Sequence, residues 1–218
     1  MIAGGDLTAA RAIKSHRHEG GPGRIALRSK ERDLPYHRPA LSKRYLRDET
    51  IDAPFAEDAA FYRDQDVEVL LETTPTAVHA HSRTVTTDLA RFQYDKLLIA
   101  TGATPRRLRV PEATLEGIYE LRTLRDSQAI GEAAIAAEHV VVVGGGFIGR
   151  EVAASLRQLG LAVTLIHPRS TDESLAEAGG QPSAEAKGEA RWSAITAPVL
   201  ERTRCARASA CERARVTK

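Results

Sequence analysis

The chain runs twice through the same order of hydrophobic and polar blocks. Met1-Ile-Ala3 is a short apolar run that enters the glycine turn Gly4-Gly-Asp6, and Leu7 to Glu19 reads as a helix stopped by Gly20-Gly-Pro-Gly23. Arg24-Ile-Ala-Leu-Arg28 follows as a strand. Past the middle, Val140-Val-Val-Val143 reads as a buried parallel strand, because consecutive β-branched side chains suit a strand covered on both faces. Gly144-x-Gly146-x-x-Gly149 comes at once, Phe147 to Leu159 reads as a helix with Gly160 as its stop, and Leu161-Ala-Val-Thr-Leu-Ile166 returns as a second strand. A whole strand-helix-strand unit therefore fits between His139 and Ile166. Between the two turns the period shortens. Val67 to Leu71, Ala77 to His79, Thr84 to Thr87 and Lys96 to Ile99 are short strands set off by Pro75 and polar turns, and they predict a small antiparallel meander. Ala100-Thr-Gly-Ala-Thr-Pro105 closes it, and Thr123 and Asp126 stand at the spacing of a helix cap.

Each glycine turn has the arrangement that holds the phosphates of a dinucleotide. The first glycine makes the tight turn, the second lets backbone approach the pyrophosphate, the third lets helix pack on strand, and the helix N-terminus favours the anion. The second turn keeps all three, as Gly144, Gly146 and Gly149. The first keeps Gly4 but has Asp6 at the second position and Ala9 at the third. Ala9 is small enough to be tolerated. Asp6 is not neutral in effect: a carboxylate about 4 Å from a phosphate charge costs on the order of 4 kcal/mol at an effective dielectric near 20, roughly a thousandfold in affinity. A helix N-terminus returns only about 0.3–1 kcal/mol of that. Binding at the first turn is expected to be weakened unless the Asp6 side chain turns outward or pairs with a cation.

With 218 residues, 42% of them hydrophobic, the chain has a globular composition with room for one large or two small domains. The formal charge of +2 is too small to argue for nucleic acid, and no apolar run approaches the roughly 20 residues of a membrane span. The first helix carries Arg11, Lys14, His16, Arg17 and His18, unlike a secretory signal, so a cytoplasmic protein without membrane or nucleic-acid partners is expected. Cys205 and Cys211 stand late and without a Cys-x-x-Cys, which indicates neither a disulfide framework nor a zinc site. His16-x-His18 and His79-x-His81 read as solvated surface histidines, and no metal site is expected.

Glu31 stands near the distance past Ala9 at which the dinucleotide fold carries an acidic residue for the ribose hydroxyls; a solvated surface glutamate is the alternative. Leu34-Pro-Tyr-His-Arg-Pro-Ala-Leu-Ser-Lys43 is stiffened by its prolines and presents Arg38 and Lys43. Taken in order, Pro35-Tyr-His-Arg-Pro-Ala-Leu-Ser-Lys43, Tyr94-Asp-Lys-Leu-Leu-Ile-Ala-Thr-Gly102, Leu121-Arg-Thr-Leu124 and Gly144-Gly-Gly-Phe-Ile-Gly-Arg-Glu151 carry a resemblance. The chain resembles the FAD-dependent pyridine nucleotide-disulfide oxidoreductases, nearest the ferredoxin reductase branch that includes rhodocoxin and putidaredoxin reductases and apoptosis-inducing factor. The likeness covers about Ile2 to Ile166.

That resemblance implies an α/β protein with a Rossmann-like FAD/NAD(P)-binding fold of three layers (ββα), carrying the small antiparallel meander and incomplete on this chain. Residues 1–108 would be the N-terminal part of an FAD-binding domain, 109–175 the N-terminal part of an NAD(P)-binding domain, and 176–218 an atypical, disordered tail. The implied cofactors are FAD and NAD(P)H. The implied chemistry is a hydride from NAD(P)H to FAD, then single electrons to a ferredoxin-type iron–sulfur protein. Carried over by position, FAD would lie against Gly4, Gly5, Asp6 and Ala9, with Glu31 at the adenosine ribose, Arg38 and Lys43 in contact, and Thr101 and Gly102 behind it. The nicotinamide nucleotide would meet Gly144, Gly146, Phe147, Ile148 and Gly149, with His167 at its ribose. Lys43 and Glu151 are the implied catalytic pair beside the isoalloxazine, since a cation there stabilises the negative charge of the reduced ring and a carboxylate can hold the lysine in place. Ser42 and its neighbours offer no thiol where disulfide-reducing relatives carry one, so disulfide reduction is not expected.

After Ile166 the likeness ends. His167 replaces the acidic residue of the second ribose position and Arg169 lies close by, which permits NADPH. From Ala176 onward no strand period is visible, and the mixture of Ala, Arg, Glu and Ser is that of a frame-shifted or truncated end or a disordered tail. Without neighbouring strands the sheets are expected to have open edges and weak stability. Three readings stay open: the oxidoreductase, a non-catalytic nucleotide-binding module that keeps only the unit between His139 and Ile166, and an unstable translation product without function.

Overall fold

The computed structural model describes residues 1–49, 53–108, 110–168, 182–183 and 192–197. It separates into two compact units, Met1–Arg38 with Asp52–Val110, and Pro39–Ile51 with Pro111–Lys218.

In the first unit, β1 (Ile2–Ala3) leads through the glycine turn into α1 (Leu7–His18), and β2 (Ile25–Arg28) returns beside β1. The helix α2 (Ala59–Asp64) precedes β3 (Val67–Leu70). A hairpin-linked ribbon of β4 (Pro75–His79), β5 (Thr84–Thr87) and β6 (Arg91–Gln93) then follows, and β7 (Leu98–Ile99) closes the unit. The main sheet has the order β3-β2-β1-β7, with every pair parallel. Ile13 of α1 and Leu27 of β2 are fully buried, and they pack with Ile2, Ala9, Ile25, Tyr62, Val67 and Ala100. Small Ala9 and Ala10 on the inner face of α1 let the helix lie close on the sheet.

The meander expected over residues 67 to 99 is corrected in its membership. Val67–Leu70 and Leu98–Ile99 belong to the parallel sheet, and the antiparallel ribbon is β4-β5-β6, whose third strand Arg91–Gln93 was not expected. Alternation marks a strand but does not say which partner it takes, and Arg-Phe-Gln offers a single apolar residue as its signal.

In the second unit α3 (Leu124–Ala136) starts from Thr123, whose hydroxyl accepts the Asp126 amide while the Asp126 carboxylate accepts the Thr123 amide, the expected capping box. β8 (His139–Val143), α4 (Phe147–Gln158) and β9 (Ala162–Pro168) form the expected parallel strand-helix-strand unit. Leu46, Ala134, Val152, Leu156, Leu161 and Val163 make the core. The expectation of a strand buried on both faces is corrected: Val140 and Val142 pack against that core, whereas Val141 and Val143 are 52% and 50% exposed. A run of valines is compatible with burial on both faces, but among the described residues helices cover only one.

Two strands also appear where no strand period was visible. β11 (Trp192–Ala197) pairs antiparallel with β9, and β10 (Pro182–Ser183) pairs with β11. The open edge expected at β9 is therefore paired, by backbone hydrogen bonding that needs no hydrophobic period. Arg169, Cys205 and Cys211 lie outside the described residues. Among the described residues no helix is long and apolar enough to cross a membrane.

Candidate functional site

The first glycine turn is held by contacts that admit no side chain. Gly4 has φ +115°, and a Cβ there would fall 1.9 Å from the Ala100 carbonyl oxygen, so glycine brings the turn against the end of β7 and the start of Thr101. A Cβ on Gly5 would meet the Ser29 hydroxyl at 2.2 Å. Gly4, Gly5, Ala9, Thr101 and the end of β2 are thus gathered at the C-terminal ends of the parallel strands, the edge at which open α/β sheets bind ligands. Thr101 and Gly102 are exposed there, and Gly102 has φ +68°.

Asp6 is the N-cap of α1, with its Oδ1 accepting the Leu7 amide at 2.7 Å. Its Oδ2 accepts from Arg38 Nε at 3.0 Å. The pairing with a cation that the sequence left open is therefore present. Arg38 is shared further: Nη2 donates to Glu31 Oε1 at 2.5 Å and Nη1 to the Tyr36 hydroxyl at 3.0 Å, while that hydroxyl donates to Glu31 Oε2. Burial pulls the Arg38 guanidinium down, but its bonds to Glu31 and Asp6 outweigh that and hold it above the usual guanidinium range. One guanidinium thus serves two carboxylates, and Glu31, the implied ribose ligand, already has a partner on each oxygen.

The second turn is built on the same plan without the carboxylate. Gly144 has φ +117°, and a Cβ on Gly149 would stand 1.8 Å from the Gly144 carbonyl oxygen, so α4 packs tightly on the turn. Gly146 is the N-cap of α4 and supplies no side-chain acceptor. A Cβ on Gly146 would meet nothing within 4 Å. The first turn of α4 therefore has no side-chain cap at its N-terminus, the arrangement that can receive an anion. Phe147 and Ile148 are exposed, at 89% and 56%. His167 closes the other side: it is buried at the end of β9, and a Cβ on Gly145 would lie 2.6 Å from the His167 Cβ.

Lys43 and Glu151, distant in sequence, meet in the second unit. Lys43 Nζ lies 2.9 Å from Glu151 Oε1, and the Ser42 hydroxyl donates to Glu151 Oε2 at 2.6 Å. Hydrogen bonding from Ser42, then from Lys43, holds the Glu151 carboxyl below the usual carboxylate range. Behind them Ser155 donates to the Ser42 carbonyl at 2.6 Å and accepts from Arg47 Nη1 at 3.0 Å. Ser127 donates to the Leu41 carbonyl at 2.7 Å, so segment 41–47 is tied to both α3 and α4. Sequence reasoning treated Ser42 only as a missing thiol and passed over Ser155. Ser155 follows Glu151 by one helical step of four, and that spacing puts both on one face of α4.

Comparison with known proteins places the chain among relatives. The model of the pyridine nucleotide-disulphide oxidoreductase family matches residues 1–179. The biphenyl dioxygenase system ferredoxin–NAD(+) reductase component of Paraburkholderia xenovorans is 37% identical over 76% of this chain and 41% of its own length. The 5,5'-dehydrodivanillate O-demethylase ferredoxin reductase subunit of a Sphingobium species is 38% identical over 83% of this chain and 44% of its own. Among solved structures, the ferredoxin reductase for the CYP199A2 system of Rhodopseudomonas palustris superposes with a TM-score of 0.73 at 28% identity, covering 97% of this chain and 61% of that one. The chain thus spans about two-fifths of the length of these curated relatives.

Proposed function

The chain belongs to the pyridine nucleotide-disulphide oxidoreductase family, and from that premise we propose that it is part of an FAD-dependent NAD(P)H oxidoreductase of the ferredoxin reductase kind. The supporting observation is that each compact unit contains a parallel strand pair joined through a strand-glycine turn-helix motif, one turn for each of two dinucleotides. We assign FAD to the first unit and the nicotinamide nucleotide to the second. An iron–sulfur protein is the electron acceptor in this reading, because the curated relatives are named as ferredoxin reductases.

The second turn fits its nucleotide well. Gly144, Gly146 and Gly149 leave room for the pyrophosphate at the N-terminus of α4, which no side chain caps, Phe147 and Ile148 offer exposed apolar surface, and His167 flanks the turn without a carboxylate to repel a ribose phosphate. The first turn fits in shape, and the Asp6 carboxylate at its cap is paired with Arg38. Bound together, the two cofactors supply a hydride acceptor that can release electrons singly. The residues of this chain supply position: within the second unit Ser42 holds the Glu151 carboxylate, and Glu151 holds the Lys43 ammonium. One observation favours the second reading, a non-catalytic module that holds a nucleotide in the second unit alone: α1 is capped by its own side chain, and α4 is not.

Purification with added FAD separates the two. Retained flavin whose yellow colour is lost on anaerobic addition of NADH or NADPH supports the oxidoreductase. A folded, colourless chain that binds the nicotinamide nucleotide supports the module.

A further inference from the structure

We propose that Asp6 is an internal phosphate surrogate, an autoinhibitory carboxylate that occupies the first turn's own anion-binding groups and makes that turn discriminate against phosphate-bearing ligands. The inference rests on the reading of the first turn as a nucleotide site and goes beyond it.

The groups that receive a pyrophosphate at such a turn are the first helix amides and any nearby cation. In this chain the Leu7 amide donates to Asp6 Oδ1 at 2.7 Å, and Arg38 Nε donates to Asp6 Oδ2 at 3.0 Å. Both oxygens of the carboxylate are used, and both donors are those an incoming anion needs. The remaining guanidinium nitrogens of Arg38 are engaged by Glu31 and Tyr36, so Arg38 is held in the cluster from two sides. Asp6 and its partners are shielded, with Asp6 and Arg38 side chains 20% and 18% exposed, which strengthens the contact relative to an ion pair in open water. An approaching phosphate must break the Asp6 contacts and then tolerate the displaced carboxylate beside it; the two effects have the same sign. The corresponding N-cap of the second unit is Gly146, where neither effect operates. The discrimination falls on the phosphate groups alone, because adenosine and riboflavin carry none.

The test uses the full 218-residue chain, inorganic pyrophosphate as probe, and the backbone amide signals of Leu7 and Thr8 as the readout. Wild type is compared with Asp6→Gly and Asp6→Asn. Asparagine keeps an acceptor at the cap and removes only the charge, so it guards against a loss of folding in the glycine variant. The surrogate predicts that both variants reach half-maximal shift at a pyrophosphate concentration at least about tenfold below that of wild type. No difference among the three, whether through equal binding or through none, overturns it. Parallel titrations with FAD and adenosine keep the two ideas apart. If the variants gain pyrophosphate affinity but no form binds FAD, the flavin assignment falls and the surrogate stands. If FAD binds wild type and variants equally, the flavin assignment stands and the surrogate falls. Adenosine affinity is expected to stay unchanged throughout, and a gain for adenosine equal to that for pyrophosphate counts against a charge effect.

Discussion

Gly4-Gly-Asp6-Leu-Thr-Ala9 and Gly144-Gly-Gly146-Phe-Ile-Gly149 occupy the same place in two parallel strand-helix-strand units and are nearly the same piece of backbone. Each begins with a glycine at φ near +116°, each has an extended N-cap residue, and each runs into a 12-residue helix. The difference lies in what stands at the helix terminus. In the first turn a carboxylate caps the helix and draws in an arginine; in the second the N-cap is a glycine that supplies no side-chain acceptor. The same turn geometry can therefore be capped by a charged side chain in one unit and left without a side-chain cap in the other. Shape is set by the glycines, and charge by a single position.

The largest effect should come from the packing of the second turn. A Cβ on Gly149 would collide with backbone, which cannot swing aside, so Gly149→Val should destabilise the second unit by about 3 kcal/mol. Chemical denaturation followed by hydrogen exchange in α4 checks this, and unchanged protection there would show that the tight approach is not needed.

The first turn should break through charge instead. Arg38→Met leaves Asp6 and Glu31 without the guanidinium they share, and about 2 kcal/mol of stability should go with it. In a double-mutant cycle with Asp6→Asn part of that loss should be recovered, because the neutral side chain no longer needs the cation. Strict additivity of the two substitutions would mean that the pair does not interact.

A smaller effect belongs to Lys43 and Glu151. The folded chain holds the Glu151 carboxyl below its ordinary value, chiefly through Ser42 and then Lys43, so its contribution is present above about pH 4.3, the unfolded value, and is lost as pH falls through the lowered folded value. The stability gap between wild type and Glu151→Gln should be under about 1 kcal/mol at neutral pH, because both partners are partly exposed, and it should close on acidification. Ser42→Ala should move the Glu151 titration upward, measured by carboxyl-carbon NMR. A gap that stays flat with pH would remove the ionised glutamate from the account.

The two units also differ in how plainly the sequence announced them. The unit from His139 onward was legible to within about two residues, because the valine run, three glycines and a terminal Gly160 agree on one structure. Its solvent-facing side was not legible, since Val141 and Val143 carry the same residue type as the packed Val140 and Val142. In the first unit the helix and β2 were legible, but β3 and β7 were assigned to the wrong sheet, because a strand of two to four residues does not encode its partner. Asp6 was legible as a charge problem, yet its answer, Arg38, sits 32 positions away and reaches it only in the folded chain. Ser42 and Ser155 act through hydrogen bonds to a carboxylate and a carbonyl, and serine leaves no hydrophobic period to read.

The most direct test imports the first turn's carboxylate into the second. In the full chain Gly146→Asp should keep α4 folded, since aspartate is a good N-cap and nothing lies within 4 Å of the added Cβ. Calorimetric titration with NADH and NADPH should then show binding weakened at least about tenfold relative to wild type. Equal affinity of the folded variant and wild type would contradict the claim that charge at this one position decides whether a turn of this kind accepts a nucleotide.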